Sequence, residues 1–171
     1  MELVKGQTLA DLLEQGSEFE ESQIISIATK LSESINLLHD LKIAHRDIKP
    51  ENILVSAEGM VKLVDFGISA EFQIRNSDEG NRTFKARFFT QICSPLYAAP
   101  EIKNGECYSE AVDIWGIGIV LKAMLRNTEF DDKNVMKDFD TNFNRKRTLS
   151  QKVDVILEMT LKTDPLDRPT A

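Results

Sequence analysis

The sequence predicts a mainly α-helical domain carrying one small β-hairpin, and three observations lead there. Apolar residues recur every three or four positions over 20–41, residues 112–125 are apolar nearly all round, and two short β-prone runs, 53–55 and 61–64, flank a turn. With 171 residues, of which 42% are apolar and 29% charged, the chain can bury one sizeable core and falls in the single-domain range.

The elements follow in order. Leu9, Leu12 and Leu13 give residues 8–15 a helical pattern, with Thr8 placed to cap its start and Gly16 to end it. In the longer helix over 20–41, Ile24, Ala28, Leu31, Ile35 and Leu38 share one face while Lys30, Glu33 and Asn36 lie on another, so the helix is amphipathic and lines a core. The period then changes. Ile53-Leu54-Val55 and Val61-Lys62-Leu63-Val64 are separated by Ser56-Ala57-Glu58-Gly59, which reads as a hairpin turn. Residues 67–90 are polar, hold Asn76-Ser77-Asp78-Glu79-Gly80-Asn81 and show no sustained period; a long loop is expected. The run over 112–125 is what a helix enclosed by its own domain requires, and it is too short and interrupted to span a bilayer. Residues 127–147 are charged and irregular. A last helix is predicted from the capping-box pattern Thr148-Leu149-Ser150-Gln151, with Val153, Ile156, Leu157 and Leu161 on one side and Asp164-Pro165 as its stop.

Charge and cysteine usage exclude several function classes. The 28 acidic residues exceed the 21 basic ones, a net charge of −7, which speaks against nucleic acid or an anionic membrane as partner and favours a basic one. Cys93 and Cys107 come without a CxxC pair or a His/Cys cluster, so neither zinc nor a disulfide framework is expected, and reduced thiols point to an intracellular, cytoplasmic protein. No apolar run has membrane-spanning length, and Met1 is followed by Glu2 and Lys5 rather than by an export signal.

The most informative string is His45-Arg46-Asp47-Ile48-Lys49-Pro50-Glu51-Asn52, followed thirteen residues after Asn52 by Asp65-Phe66-Gly67. Each piece alone is an ordinary turn, loop or cap. In this order, with a helix before them and strands between, they resemble the catalytic loop and metal-binding motif of the eukaryotic-type protein kinases. The resemblance implies a kinase-like C-terminal lobe, ATP and Mg²⁺ as cofactors, and a protein substrate. It implies that Asp47 accepts or orients the substrate hydroxyl proton, that Lys49 faces the transferred phosphoryl group, and that Asn52 and Asp65 are the metal ligands. The chemistry suits these residue types. Phosphoryl transfer needs in-line positioning and neutralised charge, Mg²⁺ takes hard oxygen ligands, and Pro50 stiffens the loop by fixing its own φ.

Further motifs extend the resemblance over nearly the whole chain, though over only about two-thirds of a kinase domain. Ser94-Pro95-Leu96-Tyr97-Ala98-Ala99-Pro100-Glu101 resembles the end of an activation segment, here 65–101, that receives the peptide. Asp113 matches the buried aspartate bracing the catalytic loop, and Arg168 the arginine that pairs with the glutamate at Glu101, so a buried Glu101–Arg168 ion pair is expected; His45 and Phe66 are structural members of their motifs. Met1-Glu2-Leu3-Val4-Lys5-Gly6 resembles the hinge between lobes. By that likeness the backbone near Glu2 and Val4 holds adenine, Leu54 and Val64 form the lower wall, and Lys49, Glu51, Asn52 and Asp65 face the rest of the nucleotide. Residues 1–171 then read as a partial kinase domain whose N-terminal lobe belongs upstream in the same gene product, and little or no activity is expected of this chain alone.

Lys49 and Ser94 match the serine/threonine pattern, whereas Cys93 stands where most relatives have glycine. Thr90 lies four residues before Ser94, and the resemblance implies that its phosphorylated form bonds Arg46, helped by Lys85 and Arg87. Two rivals are a kinase-derived, non-catalytic binding module and a kinase-like small-molecule phosphotransferase. Retention of the catalytic residues argues against the first, and the wording from Arg46 to Glu51 with the Ala-Pro-Glu segment against the second.

Overall fold

The computed structural model describes residues 6–72, 74–76, 82–84, 94–126 and 151–171. The hinge residues Glu2 and Val4, the segment containing Thr90 and Cys93, the stretch 127–147 and the cap at 148–150 lie outside the described residues.

Strand β1 (Gln7–Thr8) leads straight into helix α1 (Leu9–Glu14) through a capping box: the Thr8 hydroxyl accepts from Asp11 N at 3.0 Å, and Asp11 Oδ2 accepts from Thr8 N at 3.1 Å. Gly16, at φ +73°, closes α1 in a Schellman motif, with Ser17 N donating to Leu12 O and Gly16 N to Leu13 O. Helix α2 (Glu21–Asp40) buries Ile24, Ala28, Leu31 and Ile35 as its periodicity predicts. Leu31 and Ile35 are at most 1% exposed, each contributing roughly 1.5–3 kcal/mol by area removed from water.

A short strand β2 (Ile43–Ala44) and a 3₁₀ turn at Pro50–Asn52 bracket the loop bearing Asp47. Strands β3 (Ile53–Val55) and β4 (Val61–Leu63) then form the expected hairpin, with Ile53 opposite Leu63 and Val55 opposite Val61. It gains a third strand the sequence did not announce: β1 pairs antiparallel with β3, Gln7 opposite Val55, giving the order β1-β3-β4. The Lys30 ammonium donates to Gly59 O, fastening α2 to the hairpin turn.

Strand β5 (Ala70–Glu71) returns to pair with β2. The span expected to be one long loop also holds β6 (Ile74–Asn76) against β7 (Arg82–Phe84), a departure from the sequence reading. Unlike the apolar, β-prone runs of β3 and β4, Ile74-Arg75-Asn76 and Arg82-Thr83-Phe84 are mostly polar and carry no strand signal of their own. After a short helix α3 (Pro100–Lys103) comes α4 (Ala111–Arg126), which is enclosed as its composition demands: Ile117, Ile119, Val120 and Leu121 are all at most 2% exposed. Helix α5 (Gln151–Thr160) and a 3₁₀ turn at Pro165–Asp167, capped by Asp164 through Leu166 N, complete the described chain. One core joins α1, α2, β3 and α4, and a second lies between α4 and the segment from Tyr97 to Tyr108. No helix among the described residues is long and apolar enough to cross a membrane.

Candidate active site

The loop from His45 to Asn52 is held from below by α4. Asp113, with no exposed surface, turns both carboxylate oxygens onto its backbone: Oδ2 accepts from His45 N at 2.9 Å and Oδ1 from Arg46 N at 2.7 Å. Arg46 is thereby kept at φ +70°, a left-handed conformation that a non-glycine residue adopts only when its surroundings impose it. Its side chain donates from Nε to Ile68 O and from Nη1 to the Tyr108 hydroxyl. Ile48, two residues on, is buried against α4 so closely that a Cβ added at Gly116 would lie 2.5 Å from the Ile48 Cβ.

Asp47 and Lys49 flank that anchor and meet on its outer side. Asp47 Oδ2 receives the Lys49 ammonium at 2.7 Å and the Asn52 amide nitrogen at 3.0 Å. The same Asn52 nitrogen donates to Asp47 O at 2.9 Å. Both acceptors are pure acceptors, so the amide can present only its NH₂ to Asp47, and its oxygen is left turned away from it. Lys49 also donates to the Ser94 hydroxyl at 2.8 Å, and Ser94 N approaches Asp47 Oδ1 at 3.4 Å. Ser94 is thus tied to the loop from His45 to Asn52 by a charge-assisted bond.

Asp65 is joined to this group through the backbone. Val64 N donates to Asn52 O at 2.9 Å, one residue before Asp65, and His45 Nε2 is 3.2 Å from Val64 O. Because Asp47 N donates to His45 Nδ1 at 3.3 Å, that nitrogen must carry the lone pair and Nε2 the proton. A single buried imidazole, in one tautomer, therefore spaces Asp47 from the Val64–Asp65 peptide. Asp65 itself is exposed at φ +62°, with Oδ1 accepting from Gly67 N at 3.1 Å, and the Phe66 ring stands edge-on to His45 with centroids 5.0 Å apart.

The structure brings Asp47, Lys49, Asn52 and Ser94 into direct contact and links Asp65 to them through Val64. Glu51 is exposed on the 3₁₀ turn, while Leu54 on β3 and Val64 after β4 are half-buried. The expected ion pair is present in forked form, with Arg168 Nη1 to Glu101 Oε1 at 2.7 Å and Nη2 to Oε2 at 2.8 Å. Carbonyls of Ala111, Lys162 and Thr163 take the other three guanidinium hydrogens, so every donor of this buried group is used. The sequence reading missed the Tyr108 contact to Arg46, the close passage of Gly116 over Ile48, and His39, whose Nε2 lies 2.9 Å from Asp113 Oδ2. None of these had a local signal, since each depends on a residue distant in sequence.

Comparison with known proteins agrees with the geometry. The family described as "Protein kinase domain" matches residues 1–171. The chain is 34% identical over 142 residues to the SNF1-related protein kinase catalytic subunit alpha KIN12 of Arabidopsis thaliana, covering 82% of this chain and 26% of that protein. It is 35% identical over 134 residues to the serine/threonine-protein kinase SKM1 of Saccharomyces cerevisiae, covering 73% of this chain and 19% of that one. Against the serine/threonine-protein kinase PEPKR2 of Arabidopsis thaliana it is 35% identical over 153 residues, with 82% and 30% covered. The chain belongs to the protein kinase family. It spans between 19% and 30% of the length of these relatives.

Proposed function

We propose that this chain is the lower, C-terminal lobe of an intracellular enzyme that transfers the γ-phosphoryl group of ATP to serine or threonine of protein substrates. The observation that supports this best is the cluster on Asp47: one carboxylate shared by Lys49, Asn52 and Ser94 at the end of a loop whose backbone is clamped from beneath. Asp47 takes or orients the hydroxyl proton of the acceptor. Lys49, bridging Asp47 and Ser94, places a positive charge where the phosphoryl group passes and ties that point to the segment that would seat the peptide.

The donor set fits Mg²⁺. The Asn52 oxygen is turned away from Asp47, and Asp65 supplies a hard, exposed carboxylate. When bound with ATP, the metal neutralises charge on the phosphates. Asn52 and Asp65 would hold it, while Glu51, Leu54, Val64 and the hinge at Glu2 and Val4 complete the nucleotide site together with an upstream lobe of the same gene product. Phosphorylated Thr90 would order the activation segment by bonding Arg46; a Thr90→Ala protein with undiminished activity refutes that part.

The test uses the full-length gene product containing this chain, given radiolabelled ATP, Mg²⁺ and peptides bearing serine, threonine or tyrosine. Phosphoserine or phosphothreonine is expected, with kcat lowered about 100-fold or more by Asp47→Asn, in line with loss of a positioned acid–base group. Failure of the wild-type protein to transfer phosphate, or full activity in Asp47→Asn, overturns the reading.

A further inference from the structure

Asp113 carries three N–H donors, and only two come from the catalytic loop. The third is His39 Nε2, 2.9 Å from the same Oδ2 that accepts from His45 N, while Oδ1 accepts from Arg46 N. An aspartate carboxylate rotates softly about its last torsion, so its plane is set by its partners. That plane matters here, because its two oxygens hold consecutive amides and one of those amides belongs to Arg46 at φ +70°, directly before Asp47.

His39 is itself held in place. It lies in the last turn of α2, and its ring meets Phe72 edge-on at 6.0 Å with planes 88° apart. Phe72 is 4% exposed and donates its N–H to Lys42 O, so the segment after β5 closes over the imidazole. Glu110, on the turn before α4, interacts electrostatically with it and with Lys42, on the turn after α2. Facing a carboxylate, Nε2 carries the proton in both the neutral and the protonated ring, and the bond persists in either state.

We infer that His39 is a positioning residue for phosphoryl transfer: its bond to Asp113 fixes the carboxylate that clamps His45 and Arg46, and through that clamp it aims Asp47. The inference rests on the kinase reading above. His39 touches no substrate, and its effect reaches the chemistry only through Asp113 and the loop backbone.

The experiment compares His39→Ala and His39→Gln in the full-length protein, reading kcat, KM for ATP and for peptide, melting temperature, and amide hydrogen exchange over the catalytic loop. In His39→Ala, kcat falls about tenfold with both KM values within about twofold, because a misaimed base slows the chemical step without altering ground-state binding. Exchange at the His45 and Arg46 amides quickens. The glutamine amide nitrogen can occupy the place of Nε2, so His39→Gln returns kcat to within about threefold of wild type. A lowered melting temperature with unchanged kcat and unchanged loop exchange overturns the inference, as does glutamine failing to restore what alanine loses. Should the wild-type protein transfer no phosphate, the function proposed above falls, and loop exchange alone then decides the role of His39.

Discussion

Arg168 makes five hydrogen bonds with its five N–H groups, and its guanidinium lies 5.1 Å from the centre of the Trp115 ring. Removing it leaves the Glu101 carboxylate, 3% exposed, buried without its counter-charge. Arg168→Ala should therefore cost about 3–5 kcal/mol in denaturant unfolding, and Arg168→Lys should recover little because an ammonium cannot reproduce the fork. Glu110 makes the opposite kind of prediction. Burial pushes its carboxyl above the usual range, against weaker lowering by a backbone bond and by His39, and its buried Oε2 has no hydrogen-bond partner among the described residues. A carboxyl raised in the folded state favours folding most when protonated. That contribution is full below the unfolded value of 4.5 and is lost as pH rises through the folded one. Glu110→Gln should accordingly raise the melting temperature at pH 7 to 8, with the gain disappearing below about pH 4.5 in thermal scans.

Helix α4 works as an element because both of its glycines are places of contact. A Cβ at Gly116 meets the Ile48 Cβ at 2.5 Å, and one at Gly118 meets Thr160 Oγ1 at 2.5 Å and Leu161 Cδ2 at 2.6 Å. At Gly116 the obstacle is the root of the neighbouring side chain, so shortening Ile48 would not relieve it and the loop backbone must shift. Gly116→Ala should destabilise by about 1–3 kcal/mol in denaturant unfolding and lower kcat in the full-length enzyme, since Ile48 lies between Asp47 and Lys49. Local pattern announced these elements: a repeating apolar face in α1 and α2, an apolar run all round in α4, and two β-prone runs about a turn in the β3–β4 hairpin. It could not announce β1 or the β6–β7 pair. Strands of two or three mostly polar residues owe their existence to a partner, and Gln7 and Thr8 become a strand only by lying beside Val55 and Leu54.

At the scale of the whole molecule, Phe66, next to Asp65, is 49% exposed although its ring meets that of buried His45 edge-on. Such apolar surface beside the candidate site suits coverage by the upstream lobe proposed above. Assayed alone, residues 1–171 should show no phosphoryl transfer above background, and a chain extended upstream to a Gly-rich loop and a strand lysine should restore it, as read by ADP release. Robust turnover by the 171-residue chain would refute the need for that lobe.

The sequence by itself determined the family and the longer helices and named the candidate site residues, because His45 to Asn52 and Asp65 to Gly67 are contiguous strings whose spacing survives without coordinates. Only the tertiary structure decided how those groups are held. The three donors on Asp113, the single tautomer of His45, the Ser94–Lys49 bond and the close passage of Gly116 over Ile48 each join residues far apart along the chain. Packing, rather than local propensity, brings such partners within hydrogen-bonding distance.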